Sequence, residues 1–269
     1  MRVLKRACAG VCLVMGLAAG RGGLSSSPVD AGPESARRNP PHASVAQIYG
    51  RRCSGCHGTA GDGRGPVSHF LTPRPRSFVE AEYKLRSTPG DHVPVDSDLE
   101  RTIRTGIPGT AMPGFAGDLS DEETRLLVDV LKNFSPRFDV DGPVRPVRVP
   151  PPPPYDPGMV IAGRAVFEKL GCASCHGAFG RGDGPLAGGL LDASRLPVRP
   201  RDFSLPGMLK GGSRAADIYR TLATGLDGTP MVALDGSVSE HERWQLAYFI
   251  QSLSFQPVPP IRGARSGGD

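Results

Sequence analysis

The chain has little of what a large self-supporting core needs. Of its 269 residues only 6% are aromatic, with a single Trp, and 38% are hydrophobic. No convincing alternation of apolar and polar residues marks a strand, which excludes an all-β reading. There is no long apolar run. The stretch Ala7–Ala19 is too short for a comfortable membrane span. Charge of one sign is scarce as well. The formal net charge is +5, and three of the cations, Arg2, Lys5 and Arg6, precede a cleavage point expected near residue 20. That leaves +2, so no nucleic-acid-binding surface is read from the charge. Cysteine is sparse, with 6 residues. Four lie in two short motifs, and Cys8 and Cys12 lie in the N-terminal segment, so none is left for a disulfide framework.

What is abundant is punctuation: Gly 36 and Pro 28 make much of the chain loop and turn. Within it stand two copies of one pattern, Cys53-Ser54-Gly55-Cys56-His57 and Cys172-Ala173-Ser174-Cys175-His176. C-x-x-C-H is the attachment signature of c-type haem. Two thiols on one helical turn reach the two vinyl groups of a haem as thioethers, and the adjacent histidine points at the iron. Two covalent haem c groups, on Cys53/Cys56 and Cys172/Cys175, would supply the apolar volume the composition lacks.

In order, residues 1–20 read as a secretory signal: a basic start, a short apolar run, and the small residues Ala18-Ala19-Gly20. An uncleaved membrane anchor is the alternative. Residues 21–42 read as a flexible leader, 43–135 as a first domain, 136–158 as a Pro-rich linker, 159–255 as a second domain, and 256–269 as a disordered tail. Pro150–Pro154 are five consecutive prolines, which predict a semi-rigid extended connection.

The two domains repeat. Cys53 to Cys172 is 172 − 53 = 119 positions, and Met112 to Met231 is 231 − 112 = 119. Gly61 and Gly180, Pro66 and Pro185, Gly106 and Gly225, and Ser120 and Ser239 keep that offset. Between them Arg74-Pro75-Arg76-Ser77-Phe78 matches Arg199-Pro200-Arg201-Asp202-Phe203 at 199 − 74 = 125. Helices are expected at Val45–Arg52 and Ala162–Leu170, each leading into a haem motif. They are expected again at Asp98–Thr105 and Asp217–Thr224, with Asp98 and Asp217, or the residues just before them, as caps. Ser120…Glu123 and Ser239…Glu242 are capping boxes that open the last helix of each domain.

Met112 and Met231 are the candidates for the second axial iron ligand, opposite His57 and His176. Each follows a Thr-Gly turn at matched offset, and each lies 55 positions beyond its histidine (112 − 57 and 231 − 176). Met159 and Met208 lack a repeat partner and read as core filler. His42, His69, His92 and His241 have no histidine counterpart either. His/Met ligation suits electron transfer and raises the potential. Arg74, Arg76, Arg199 and Arg201 are placed to neutralise haem propionates, with Phe78 and Phe203 near the haem edge.

On these residues the chain resembles class I cytochromes c in a two-haem, tandem-domain form, over 43–135 and 159–255. The resemblance implies an all-α fold, one small domain wrapped around each haem, with first and last helices crossing. It also implies an exported or periplasmic electron carrier of a respiratory chain, working between a protein donor and acceptor such as a membrane oxidoreductase, dehydrogenase or oxidase. Two departures are visible. Leu246-Ala247-Tyr248-Phe249 matches the family's aromatic crossing, whereas Leu127-Val128-Asp129-Val130 does not. The Asp91–Asp98 loop is an insertion without counterpart. The alternatives are a haem enzyme, such as a dihaem peroxidase or a thiosulfate dehydrogenase, and an electron-transfer subunit of a larger oxidoreductase. A zinc module would want its C-x-x-C pairs about 15–20 residues apart.

Overall fold

The computed structural model describes residues 44–90 and 92–254. The signal, leader and tail expectations lie outside the described residues, as does most of the stretch before Val45. Among the described residues all regular structure is helical, and an isolated antiparallel bridge between Leu191 and Pro197 is the sole β feature. No helix among them is long and apolar enough to cross a membrane.

The first repeat is built from α1 (Val45–Arg52), α2 (Ser54–His57), α3 (Asp96–Thr105) and α4 (Asp121–Lys132). A short α5 (Arg137–Val140) follows. The second repeat has α6 (Pro157–Lys169), α7 (Ala173–His176), α8 (Ala215–Thr224) and α9 (Glu240–Leu253). One-turn 3₁₀ helices at Ser68–Phe70 and Ala187–Gly189 follow the two motif helices. Both repeats belong to one compact unit.

Start signals explain where these helices begin. Ser120 Oγ accepts from the Glu123 N–H at 3.1 Å, and Glu123 accepts from the Ser120 N–H at 2.8 Å. Ser239 and Glu242 repeat the box at 3.1 and 3.0 Å. The helix α6 starts five residues ahead of the sequence expectation. Asp156 accepts from the Gly158 N–H at 2.8 Å, and Pro157 sits at the first helical position, where no N–H is needed.

The expected caps on α3 and α8 are a correction. Both helices start two residues earlier, and their N-caps, Val95 and Arg214, make no side-chain cap bond. Asp98 is instead a buried anchor. Its carboxylate accepts from the Ser87 N–H at 2.7 Å, the Ser87 hydroxyl at 2.8 Å and Arg101 at 2.8 Å. Asp217, at the 119 offset, accepts from Arg214 and Arg220 at 3.0 and 2.9 Å. A carboxylate with such donors offsets its own desolvation.

In each repeat the first and last helices pack together: α1 on α4, with Ile48, Tyr49, Leu127, Val128 and Leu131 in one core. In the second, α6 lies along α9 over much of its length, with Phe167, Leu246, Ala247, Phe249 and Leu253 buried. The segment between the repeats has no regular structure over 142–156 but is not free of them. The Val147 N–H donates to the Ser87 carbonyl at 2.7 Å, and Tyr248 donates to the Pro153 carbonyl at 2.5 Å. The inserted loop closes on it too, since the Val93 N–H donates to Asp141 at 3.1 Å.

Candidate functional site

Each motif helix is a single turn held by glycines. In the first repeat, a Cβ at Gly65 would meet the Gly55 and Ser54 carbonyls at 2.4 and 2.5 Å, and one at Gly63 the Pro75 carbonyl at 2.7 Å. In the second, Gly184 meets the Ser174 and Ala173 carbonyls at 2.4 and 2.5 Å, and Gly182 the Pro200 carbonyl at 2.4 Å. The glycine loop is therefore clamped between the C-x-x-C-H turn and the Arg-Pro-Arg backbone. Any side chain there would push the two apart.

That clamp sets the histidines. His57 Nδ1 donates to the Arg76 carbonyl at 3.1 Å, so the proton sits on Nδ1 and the Nε2 lone pair is free for a metal. The ring stacks on Phe78 at 4.4 Å, 16° from parallel. His176 stacks on Phe203 at 4.5 Å and 23°. Its Nδ1 is buried without a hydrogen bond in this geometry, although the Arg201 carbonyl acts on it as the Arg76 carbonyl acts on His57. Burial holds both imidazoles below their ordinary pKa, with the carbonyls opposing, so each is neutral as a ligand must be. Burial also pushes the Cys53 thiol up to about 11 and the Cys172 thiol in the same direction. The four motif cysteines are half-buried and none is in a disulfide.

Cys53, Cys56, His57 and Met112 line one crevice in the first repeat. Phe78, Leu99, Ile103 and Leu127 supply apolar walls. The Tyr83 hydroxyl, buried in the same wall, has no hydrogen-bond partner. Apolar walls with orphaned polar atoms at one side fit an amphipathic ring bearing carboxylates, as haem does. In the second repeat Cys172 and Met231 pack against the same core cluster as Phe203 and Tyr219.

The methionine loops are built alike. Thr110 donates to the Ile107 carbonyl at 2.7 Å and accepts from the Met112 N–H at 3.2 Å. Thr229 donates to the Leu226 carbonyl at 2.6 Å and accepts from the Met231 N–H at 3.2 Å. The Ile107 and Leu226 amides close the loops on the Met112 and Met231 carbonyls at 3.0 and 2.9 Å. Such a closed loop holds a thioether in place without a helix beneath it.

The arginines divide within each Arg-Pro-Arg. Arg74 and Arg199 are exposed, Arg74 at the crevice edge, while Arg76 and Arg201 are partly buried. The inner pair reaches across to the other repeat. Arg76 Nη1 and Nη2 lie 3.8 Å from Glu82 and 3.8 Å from Asp192 of the second repeat. Arg201 donates to the Pro108 carbonyl, in the first methionine loop, at 3.4 Å. Sequence reasoning missed Glu82, Asp192, Tyr83 and Lys210: Asp192 and Lys210 act on the other repeat, and Glu82 and Tyr83 have no counterpart at the repeat offset.

No group of three or more His, Cys, Asp or Glu side chains that could hold a metal ion occurs among the described residues.

With this geometry in place, the comparisons agree. Residues 40–129 match the family described as cytochrome C oxidase, cbb3-type, subunit III, and residues 160–254 match the cytochrome c family. A solved chain of the Kuenenia stuttgartiensis reducing HAO-like protein complex Kustc0457/Kustc0458 is 38% identical, with a TM-score of 0.75, over 78% of this chain and 94% of that one. No curated protein matches. The chain belongs to the class I cytochromes c in their tandem, dihaem form. Its two cytochrome c domains imply haem c binding and haem electron transfer.

Proposed function

We propose that the protein is an exported or periplasmic carrier that passes single electrons between a protein donor and a protein acceptor of a respiratory chain. The observation that carries this reading is the shared crevice, which brings both thiols of one motif, His57 and Met112 to one cavity. A haem held there by a histidine and a methionine would supply one-electron transfer, with no position left open for a substrate. The chain's own part is to hold that ligand set still. The Arg76 carbonyl fixes the His57 ring, Phe78 supports it, and the Thr110 loop fixes Met112. Matching loops around Met231 argue for a carrier rather than a peroxidase, which must open one site.

Spectra of the whole holoprotein test this directly. Two covalent haems per chain are expected, each oxidised form showing a far-red Met-to-iron band. Met112→Ala should remove one band and Met231→Ala the other, with the affected potential lowered. Rapid peroxide turnover by the native protein, or an unchanged band in either variant, would sink the proposal. A second reading is favoured by the similar chain that comes from a reducing HAO-like protein complex. Here the protein is the electron-transferring subunit of a larger oxidoreductase, and co-purification with a redox enzyme supports it.

A further inference from the structure

The first crevice is not completed by the first repeat alone. Lys210, from the loop ahead of α8 in the second repeat, lines it together with Cys53, His57 and Met112. The neighbouring Gly211 stands against Leu85, another residue of the crevice wall. Tyr83, Arg76 and Lys210 all line the crevice, and of the three only Arg76 has carboxylates near it, Glu82 and Asp192 at 3.8 Å each. The Tyr83 hydroxyl and Arg76 Nη2 are buried with no hydrogen bond. Lys210 has no carboxylate partner among the described residues. The charges acting on it, Arg201 and Arg76, are both positive, and burial with those neighbours pushes its ammonium down to about 8. A partly buried cation beside two others is costly unless an anion joins them.

We propose that Lys210 belongs to the cofactor site of the first repeat, where its ammonium pairs with a propionate of the first haem. The inference rests on the haem reading above. It makes the second repeat part of the first haem's surroundings, so the first couple feels a charge supplied across the interface. Removing a cation next to a haem disfavours the reduced, less positive state, so the effect has a fixed sign.

The test is redox titration of the full-length holoprotein, the first haem being the one whose potential moves in Met112→Ala. Lys210→Gln should lower the reduced-to-oxidised ratio of the first haem at fixed ambient potential by roughly threefold to tenfold. The second couple should shift less. Lys210→Arg, which keeps the charge, should restore the first couple, whereas Lys210→Met should not. Equal shifts in both couples, an unmoved first couple, or equal behaviour of the Arg and Met variants would overturn the assignment. Native protein without covalent haem on a denaturing gel would overturn the haem reading itself, a different result from two haems with unmoved potentials.

Discussion

The two repeats follow one plan with different amounts of helix. The helix α1 has 8 residues and α6 has 13. At the crossing of α6 on α9, a Cβ on Gly163 would lie 2.0 Å from the Gln245 carbonyl and 2.8 Å from Phe249 Cβ. Backbone meets backbone there, and Phe167 and Phe249 stack edge to face at 5.3 Å. In the first repeat the position matching Gly163, counted back from Phe167 and Tyr49, is Val45. That first core closes with a hydroxyl instead, as Tyr49 donates to the Gly58 carbonyl at 2.7 Å. The second repeat thus gains its cohesion from close helix approach and aromatic mass. The first lacks that close helix approach and relies on Tyr49 packed on Phe134 at 5.3 Å, on a polar tie to its haem-motif loop and on residues lent by its neighbour.

The sharpest way to break this contrast is Gly163→Val. With backbone under the new side chain, the second repeat should lose about 3 kcal/mol, read by thermal unfolding followed at each haem. A drop in the first repeat alone would refute the comparison. Tyr49→Phe makes the first repeat resemble the second at this point, and should cost it about 1 kcal/mol by removing one of the two hydrogen bonds on the Gly58 carbonyl, which keeps only the Gly61 N–H at 3.2 Å. Denaturant unfolding should register the loss in the first repeat and leave the second unmoved. The smallest effect concerns Glu242. The Ser239 N–H, then Lys169, hold its carboxyl at about 2 against an ordinary 4.5. A lowered carboxyl contributes stability above pH 4.5 that fades as pH falls towards 2. Glu242→Gln should therefore flatten the acid side of the second repeat's stability profile, and an unchanged profile would count against the tie between α6 and α9.

Much of this was legible in the sequence because it is local. A C-x-x-C-H turn, a Ser-x-x-Glu box and a Gly-Thr-x-Met loop each carry their own bonds within a few residues. The extent of α1 could be read the same way, whereas the aromatic contact between the first and last helices of the first repeat comes from Phe134, just past α4, rather than from the Leu127–Val130 stretch. Asp98 and Asp217 were misread as caps because both helices begin two residues earlier and the carboxylates take other donors: Asp98 from Ser87, eleven positions away, and Asp217 from Arg214 and Arg220 beside it. The start of α6 was hidden by the prolines before it, one of which begins the helix. Lys210 and Asp192 carried no signal at all, since a residue that serves the other repeat breaks the internal repetition.

Gly109 and Gly228 occupy matched places in the two methionine loops, with φ of 67° and 65°. A side chain on Gly109 would strike Met208 Cε at 2.8 Å and Arg201 Nη1 at 2.9 Å, and one on Gly228 would strike Glu82 Oε2 at 2.9 Å. Each loop is thus a seat shaped for the opposite half. Substitution in one half then has its cost in the other, so the duplicated copies have become a matched pair. Exchanging either for a free-standing relative would leave a seam that does not close.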